Sequence, residues 1–359
     1  MHTGFPLLLA SLLFVGGLAI ADQEPVQPPP APEDSATATP APPAPPPVAS
    51  DALVRDLLAA LEGREIPDPD PDAIRRGREI VLTGSTTDPN GASTKRQSRE
   101  FLCTHCHNVE REDPDLRLSD PEARLTYAIE HDLPYLPGTT LYGMADRTTW
   151  FNGDWSARYG ELVEPARGDL REATKLCWTE CSQGRDPEDW EIDAVVAYLE
   201  SNSLRLSALA DVPSPQDLGV VLAGTDADAR ARAAASLRAA ALAGSPATFA
   251  EPPADHGKKG GYPGLEGDPL RGGEVYRRSC LHCHDKGGPG THRYTDKKGS
   301  WRRLYGAMGR RDHESFYEVA RTGTKPHAGA YMPQYSLERL SDQQIEDLRA
   351  YFEEQLGKR

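Results

Sequence analysis

Apolar residues along the chain recur every three or four positions, the spacing that places them on one face of an α-helix. The clearest examples are residues 190–199 and 345–356, and residues 192–199 align position by position with residues 345–352. A shorter amphipathic segment precedes each of them, at residues 72–81 and 269–278. Residues 226–243 are rich in Ala and Arg and also favour a helix. The pattern predicts an all-α fold in which one arrangement of helices occurs twice.

Two sequence signals mark where the last helix of each repeat begins. Asp186 followed by Pro187 predicts an N-cap with proline at the first helical position. Ser341 and Gln344 form the Ser-x-x-Gln pattern of a capping box. We call residues 51–205 the first half and residues 255–359 the second half of the chain.

Each half contains one short cysteine motif, Cys103-Thr104-His105-Cys106-His107 and Cys280-Leu281-His282-Cys283-His284. Both are Cys-x-x-Cys-His, the attachment signature of a c-type haem. Two thiols at this spacing reach the two vinyl groups of one porphyrin, and the adjacent imidazole becomes the proximal iron ligand. One motif alone is also compatible with half of a zinc site, whereas two favour haem. The predicted attachment residues are Cys103, Cys106, Cys280 and Cys283, and the predicted proximal ligands are His107 and His284.

The N-terminus indicates export. Residues 5–20 are almost entirely apolar, and Ala19-Ile20-Ala21 is a small-x-small cleavage site. The apolar run is shorter than the ~20 residues that span a bilayer. The segment before it lacks Lys and Arg and has only His2, so retention as an anchor stays open beside cleavage. Either outcome predicts a periplasmic or cell-envelope protein, in contact with the membrane only if the segment is retained.

Length and composition fit two small domains joined by linkers. The chain has 359 residues, of which 38% are hydrophobic. A haem adds its own apolar face, so each domain needs less side-chain core than its length suggests. Residues 22–50 are dominated by Pro and Ala, a composition that cannot bury a core and predicts an extended tether.

With these motifs the chain resembles the class I cytochrome c family, as a tandem dihaem form, over about residues 65–205 and 255–359. Leu141-Tyr142-Gly143 and Leu304-Tyr305-Gly306 look like that family's Gly-Pro-x-Leu-x-Gly loop, with the Pro-Gly order reversed at Pro137-Gly138. The resemblance implies two small all-α domains, each wrapped around one haem, with N- and C-terminal helices that cross.

The resemblance has two gaps. The first half has an insertion between Asn108 and Glu130, and residues 206–250 match nothing in the family. We therefore expect an Ala-rich helix in the linker, which packs on one domain. The predicted segments are a signal peptide at 1–21, a disordered tether at 22–50, a cytochrome c domain at 51–205, a linker at 206–254 and a second cytochrome c domain at 255–359.

The sixth iron ligand of the second haem is predicted to be Met332, in Tyr331-Met332-Pro333. This methionine stands where the family places its distal Met, and a thioether ligand raises the reduction potential. Packing in the haem crevice is the alternative role of Met332, and His327 is the rival ligand. Met144 and Met308 are expected to be packing residues.

The first half has Cys181 at the position that matches Met332. Thiolate ligation by Cys181 would stabilise Fe(III) and lower the reduction potential. A disulfide between Cys177 and Cys181 is the alternative, since an oxidising compartment favours disulfides. It requires that the helix has ended there, because Cβ atoms at i and i+4 of a helix are ~5–6 Å apart, whereas a disulfide needs about 3.5–4.5 Å. Met144 and His131 are the other candidate ligands.

Charge differs between the two halves more than the total of −15 suggests. Residues 65–205 carry a net charge of about −12, and residues 255–359 about +4. We expect the basic excess after the second motif to dock an acidic redox partner, since opposite potentials speed encounter. A solvated basic loop is the alternative, and nucleic acid is a poor partner for an exported haem protein. The basic residues are Lys286, Arg293, Lys297, Lys298, Arg302, Arg303, Arg310 and Arg311.

These observations favour an exported dihaem cytochrome c that transfers single electrons between redox proteins of the bacterial cell envelope. The alternative is a dihaem redox enzyme, peroxidase-like or acting on a sulfur compound, with its reaction at the first haem. A similarity to dihaem sulfur-oxidising cytochromes, whose active haem carries Cys ligation, would make a sulfur substrate conceivable. Whether the protein is an enzyme stays open, with a carrier favoured. A redox or gas sensor is a third class, but no signalling or DNA-binding segment accompanies these domains.

Overall fold

The computed structural model describes residues 44–67, 69–256, 260–309, 315–324 and 331–358. The predicted signal peptide and residues 22–43 of the predicted tether lie outside the described residues. Pro45–Arg359 form one compact unit.

The described residues are helical, which confirms the all-α prediction. Their only β-type pairings are two isolated bridges, Leu53 with Arg205 and Thr87 with Ser93. The α-helices are α1 Val54–Leu61, α2 Pro71–Thr83, α3 Pro121–Glu130, α4 Trp155–Tyr159, α5 Val163–Ala166, α6 Leu170–Leu176, α7 Asp189–Ser201, α8 Pro215–Ala223, α9 Ala227–Ala239, α10 Pro269–Val275, α11 Leu281–His284, α12 Lys298–Ala307, α13 Phe316–Thr322 and α14 Asp342–Gln355. Two five-residue π-helical turns, Cys177–Cys181 and Tyr276–Cys280, interrupt the regular helices.

In each half, two helices cross at a glycine. Helix α2 packs on α7 and α10 packs on α14. A Cβ atom on Gly77 would lie 1.8 Å from the carbonyl oxygen of Ala194, and one on Gly272 would lie 1.9 Å from that of Asp347. Only a residue without a side chain permits such close approach of two helix backbones. The crossing helices therefore have the same construction in both halves.

The helix starts follow the sequence signals with one difference. At α14, the Ser341 hydroxyl accepts from the Gln344 amide at 3.1 Å and the Gln344 side chain accepts from the Ser341 amide at 3.1 Å, so the capping box is confirmed. Helix α7 begins at Asp189 with Glu188 as N-cap, two residues after Pro187. The Glu191 side chain accepts the Glu188 amide there, and this reciprocal bond sets the start instead of the Asp-Pro pair.

The segment between the two halves is largely helical and packs on the N-terminal helix. Helices α8 and α9 join α1 in one hydrophobic cluster that includes Leu57, Leu218 and Leu237. Before α1, the Val48 amide donates to the Pro215 carbonyl at 2.9 Å, so the last residues of the Pro/Ala-rich segment lie against α8. Helix α9, capped by Asp226, is the expected Ala-rich helix.

The insertion of the first half contributes to the core of the second. Leu125 and Ala128 of α3, with Tyr135 after it, belong to the same buried cluster as Tyr276 and Phe352. The Tyr135 hydroxyl also donates to the Gln344 side chain at 2.9 Å. The insertion is thus part of the interface between the two halves.

The two Leu-Tyr-Gly segments differ in structure. Leu141-Tyr142-Gly143 lies in a loop, and Gly143 has a positive φ of 68°. Leu304-Tyr305-Gly306 lies within helix α12. The sequence repeat at this place does not reflect a structural repeat.

Among the helices of the described residues, none combines the length and the apolar character needed to cross a bilayer.

Candidate haem-binding sites

The first cysteine motif forms a tight turn, and the side chains of Cys103, Cys106 and His107 all face one cavity. Cys103–His105 is a 3-10 helix, and the amides of Cys106 and His107 both donate to the Cys103 carbonyl, at 3.1 and 3.0 Å. Cys103, Cys106 and His107 line the same cavity. The structure therefore brings together the three residues that the sequence predicts for the first haem.

His107 is held in one orientation. Its Nδ1 hydrogen-bonds the Thr139 carbonyl at 2.6 Å, which assigns the ring proton to Nδ1 and leaves Nε2 free to bind a metal. Burial lowers the pKa of His107, so the neutral imidazole that ligates metals is favoured. The Gly138 amide donates to the Cys106 carbonyl at 2.8 Å. A Cβ at Gly138 would lie 2.5 Å from the His107 ring, so this glycine lets the loop lie directly on the imidazole.

The second motif repeats this construction. His284 Nδ1 hydrogen-bonds the His292 carbonyl at 2.8 Å, and the Gly290 amide donates to the Cys283 carbonyl at 2.8 Å. A Cβ at Gly290 would lie 2.6 Å from His284 Nδ1. The sequence analysis missed this equivalence, although Pro137-Gly138-Thr139 and Pro289-Gly290-Thr291 carry a visible signal for it.

The cavity at the first motif has a volume of about 210 Å³ and is partly open to solvent. Most of its wall is apolar, including three tryptophans, Trp150, Trp155 and Trp178. A largely apolar wall beside two thiols and an oriented imidazole fits the apolar face of a porphyrin.

Buried polar atoms of the wall support the same fit. Trp178 is 2% exposed and Gln334 is 7% exposed, and within the described residues Trp178 Nε1 and Gln334 Nε2 have no hydrogen-bond partner. Arg339 Nε, on the same wall, is also unpaired there. Buried donors are normally satisfied, so unpaired ones at a cavity indicate acceptors on the group that fills it. The propionates of a haem are such acceptors.

Cys177 and Cys181 lie on the wall of this cavity, in a π-helical turn that follows α6. Both are free thiols. The Tyr159 hydroxyl lies 3.5 Å from the Cys181 sulfur, in hydrogen-bonding position. Hydrogen bonds from Cys177 and Tyr159 lower the pKa of Cys181 against the opposing effect of burial. The structure thus places Cys181 on the wall of the cavity that His107 also lines, while its role as ligand stays a prediction.

The two rival ligands of the first site, Met144 and His131, differ in whether they lie at the cavity. Met144 is 8% exposed and lines the cavity. His131 is exposed, stacks on Tyr127 and hydrogen-bonds the Tyr127 carbonyl at 2.9 Å, away from the cavity wall. Of these two, only Met144 is within the site.

In the second half, Met332 is half-buried and packs against the same hydrophobic cluster as Cys280. Its backbone is fixed by paired bonds with Thr324, from the Met332 amide to Oγ1 at 2.7 Å and from the Thr324 amide to the Met332 carbonyl at 3.0 Å. Met308 is buried in the same cluster, as a packing residue would be. The rival ligand His327 lies outside the described residues.

The segment that carries Met332 also contributes to the first site. Tyr331, Gln334 and Arg339 line the first cavity, whereas Met332 and Tyr335 pack in the core of the second half. We call residues 331–339 the shared wall. The sequence analysis missed this second role, because the pattern of the segment itself only indicates a distal-ligand loop.

The basic residues that follow the second motif are exposed. The guanidinium of Arg293 donates to the carbonyls of Asp285 and Gly288, at 3.0 and 2.8 Å, and so lies on the motif's own loop. Arg310 and Arg311 lie outside the described residues. The exposed basic residues, which we call the basic surface, are Lys286, Arg293, Lys297, Lys298, Arg302 and Arg303.

Comparison with known proteins gives one match. Residues 267–352 match the family model described as cytochrome C oxidase, cbb3-type, subunit III. No curated protein and no solved structure matches the chain. The matched residues include the second cysteine motif, Met332, the crossing helix α10 and helix α14 as far as Phe352. The helical fold and this match together support a cytochrome c domain in the second half of the chain, a type of domain that holds a covalent haem c.

Proposed function

We propose that the protein is an exported dihaem c-type cytochrome that transfers single electrons between redox proteins of the cell envelope. The single observation that carries a haem in the first half is the equivalence of its motif to the motif of the second half, which the family match covers. In both, the proximal His donates through Nδ1 to a backbone carbonyl, and a Pro-Gly pair lies on its ring. The oriented imidazole of His107 also lines a largely apolar cavity, as a haem-bearing motif requires.

When bound, haem c supplies one-electron chemistry between Fe(II) and Fe(III). The chain's own residues anchor and tune it. Cys103 and Cys106 would hold the first haem and Cys280 and Cys283 the second, while the carbonyl that each proximal Nδ1 contacts raises the basicity of the ligand. Ligation by Met332 would raise the reduction potential of the second haem, and ligation by Cys181 would lower that of the first. Electrons would then rest on the second haem.

The basic surface is the proposed docking site for an acidic redox partner. Its side chains are exposed beside His284, the predicted proximal ligand of the second haem. Fixed charges of one sign around a redox centre raise the rate of encounter with an oppositely charged protein. The second haem would therefore exchange electrons with that partner.

One observation favours a second candidate, a redox enzyme that acts at the first site. The first cavity is partly open, and the free thiols of Cys177 and Cys181 and the hydroxyl of Tyr159 all lie on its wall. A pure carrier needs no such group of reactive side chains beside its haem. This candidate, peroxidase-like or acting on a sulfur compound, predicts that a small molecule displaces the sixth ligand of the first haem.

Haem content tests the central proposal. Intact mass and haem staining of denatured protein should give two covalent haems, and Cys103→Ala with Cys106→Ala should remove one. The matched variant, Cys280→Ala with Cys283→Ala, should remove the other. A wild-type mass with a single haem would contradict the dihaem proposal and leave a monohaem cytochrome.

Ligation is tested by spectroscopy of the same protein. Cys181→Ala should erase a low-spin EPR signal with the narrow g-spread of thiolate–His iron, and Cys177→Ala should leave it. Met332→Ala should remove the weak long-wavelength sulfur-to-iron band of the oxidised second haem. If the narrow signal survived in Cys181→Ala, Met144 would be the next ligand to test.

A further inference from the structure

We propose that Tyr331 is a positioning residue that couples the sixth-ligand segments of the two haem sites. It stands next to Met332 in sequence, and its side chain holds the backbone of Cys181. The inference rests on the proposed ligation by Cys181 and Met332, and it goes beyond that proposal by naming the residue that makes the two sites interdependent.

The hydroxyl of Tyr331 binds the end of the π-helical turn. It donates within reach of two carbonyls, that of Glu180 at 2.7 Å and that of Cys181 at 3.0 Å. These carbonyls lie at the end of a turn whose last groups have no intrahelical partner. A single hydroxyl from the second half therefore fixes where the Cys181 backbone lies.

The ring of Tyr331 is itself held by first-half side chains. Phe101, two residues before the first motif, packs edge-on against it with the ring centroids 6.2 Å apart. The Arg158 guanidinium lies 5.3 Å from the Tyr331 ring centroid, and the Tyr159 hydroxyl lies 3.5 Å from the Tyr331 hydroxyl. Tyr331 is 5% exposed, so its position is set by packing and not by solvent.

The link to the second site is the backbone. Met332 follows Tyr331 directly and is tied to Thr324 through both its amide and its carbonyl. A movement of Met332 on or off a metal would shift the Cα of Tyr331, and the hydroxyl would carry that shift to Cys181. Packed elements with discrete arrangements transmit such shifts between sites.

Arg158 of the first half makes further contacts with the second half close to Met332. Its guanidinium donates to the Gln334 side chain at 2.9 Å and to the Thr322 carbonyl at 3.1 Å. Both acceptors belong to the second half, one of them in the shared wall. The first half therefore contacts the second half both before and after Met332 in sequence, and Tyr331 is the contact that reaches Cys181.

Displacement of the sixth ligand by added imidazole measures this positioning. The oxidised dihaem protein is titrated with imidazole, and the narrow EPR signal reports the first haem. Tyr331→Phe removes only the hydroxyl and should lower the imidazole concentration for half-displacement by about threefold to tenfold, the effect of one or two lost hydrogen bonds. Tyr335→Phe is the matched control, because its hydroxyl binds Ser279 in the second half at 2.6 Å. It should change this concentration less than twofold.

Coupling is measured by a double-mutant cycle with Met332→Ala. In the wild-type background, Met332→Ala should lower the imidazole concentration for half-displacement at the first haem. In the Tyr331→Phe background, Met332→Ala should not lower this concentration any further. Additive effects of the two changes would overturn the coupling. If Cys181→Ala erased the narrow signal but Tyr331→Phe changed displacement less than twofold, the positioning role alone would be wrong. If Cys181→Ala left the signal intact, the ligand proposal would be wrong, and this inference with it.

Discussion

Arg339 of the second half donates a 2.6 Å hydrogen bond to the carboxylate of Glu112 in the first half, and both side chains are almost wholly buried. Arg124 of α3 lies on the other oxygen of the same carboxylate at 3.6 Å. Arg339 also donates to the Gly138 carbonyl at 2.6 Å, beside the ring of His107. One buried cluster of charges thus joins the two halves and supports the loop that lies on His107, the predicted proximal ligand.

Removal of one partner of this cluster should destabilise the fold strongly. Arg339→Leu leaves the Glu112 carboxylate buried with less compensation, and we expect a loss of about 3–5 kcal/mol in the free energy of unfolding. Urea denaturation followed by circular dichroism measures it. The control is Arg117→Ala, which breaks the exposed Arg117–Asp211 pair of 2.7 Å and should cost about 0–1 kcal/mol. Equal losses in the two variants would show that the buried cluster does not join the halves.

The same cluster predicts a dependence of stability on pH. Burial raises the pKa of Glu112, but Arg339 and Arg124 outweigh it, so the pKa in the folded protein lies below the ordinary value. An unfolded Glu titrates near pH 4.3, so the contribution of Glu112 is complete above that pH and is lost as the pH falls through the lower folded value. Wild type should therefore be more stable than Glu112→Gln at pH 7, and the difference should shrink in acid. Urea midpoints of both proteins at pH 7 and pH 3 measure this, and a constant difference would contradict it.

The glycines at the two helix crossings should tolerate no side chain. Gly77→Ala and Gly272→Ala would each place a methyl group within 2 Å of a backbone carbonyl, which forces the crossing helices apart. We expect each to lower the free energy of unfolding by about 1–3 kcal/mol. Gly299→Ala is the control, since Gly299 lies in α12 with open space where a Cβ would stand, and a helical Ala gains about 0.5–1 kcal/mol over Gly. Thermal melts of the three variants distinguish a crowded crossing from a general effect of alanine.

The basic surface should control the rate of electron exchange with an acidic partner protein. Arg302→Glu with Arg303→Glu reverses two exposed charges and should slow exchange with an acidic redox protein such as a negatively charged cytochrome. Stopped-flow rates should fall as salt increases, because the Debye length is only about 8 Å at 0.15 M ionic strength. The same reversal at Arg75 and Arg78, which are both exposed on α2, should have a smaller effect. Rates independent of salt would argue against docking at this surface.

The sequence predicts local structure well where a local interaction sets it. The capping box of Ser341 and Gln344, the amphipathic helices α7 and α14, and the Ala-rich helix α9 all occur as expected. Each depends on residues within one turn of the chain. The start of α7 differs by two residues because Glu191 competes with the Asp-Pro signal for the same helix end.

The contributions that the sequence could not predict all come from contacts between distant residues. Nothing in the pattern of residues 331–339 indicates that alternate positions face two different sites. Helix α3 looks like an insertion in one domain, yet Leu125 lies in the core of the other half. The Leu-Tyr-Gly repeat suggests a structural repeat that does not exist, for the same reason. The tertiary surroundings make one copy a loop and the other part of a helix. Spacing predicts the attachment residues, but only the fold assembles the cavity around them.

The shared wall has a consequence for the order of assembly. A growing chain that ends near residue 205 already contains both thiols and the proximal imidazole of the first motif. It lacks Tyr331, Gln334 and Arg339, which close the first cavity and which are synthesised more than 120 residues later. The first site therefore acquires its anchoring residues early in synthesis but cannot be enclosed before residue 339 has been made, and a porphyrin attached there early would stay exposed on one side until that late segment packs over it.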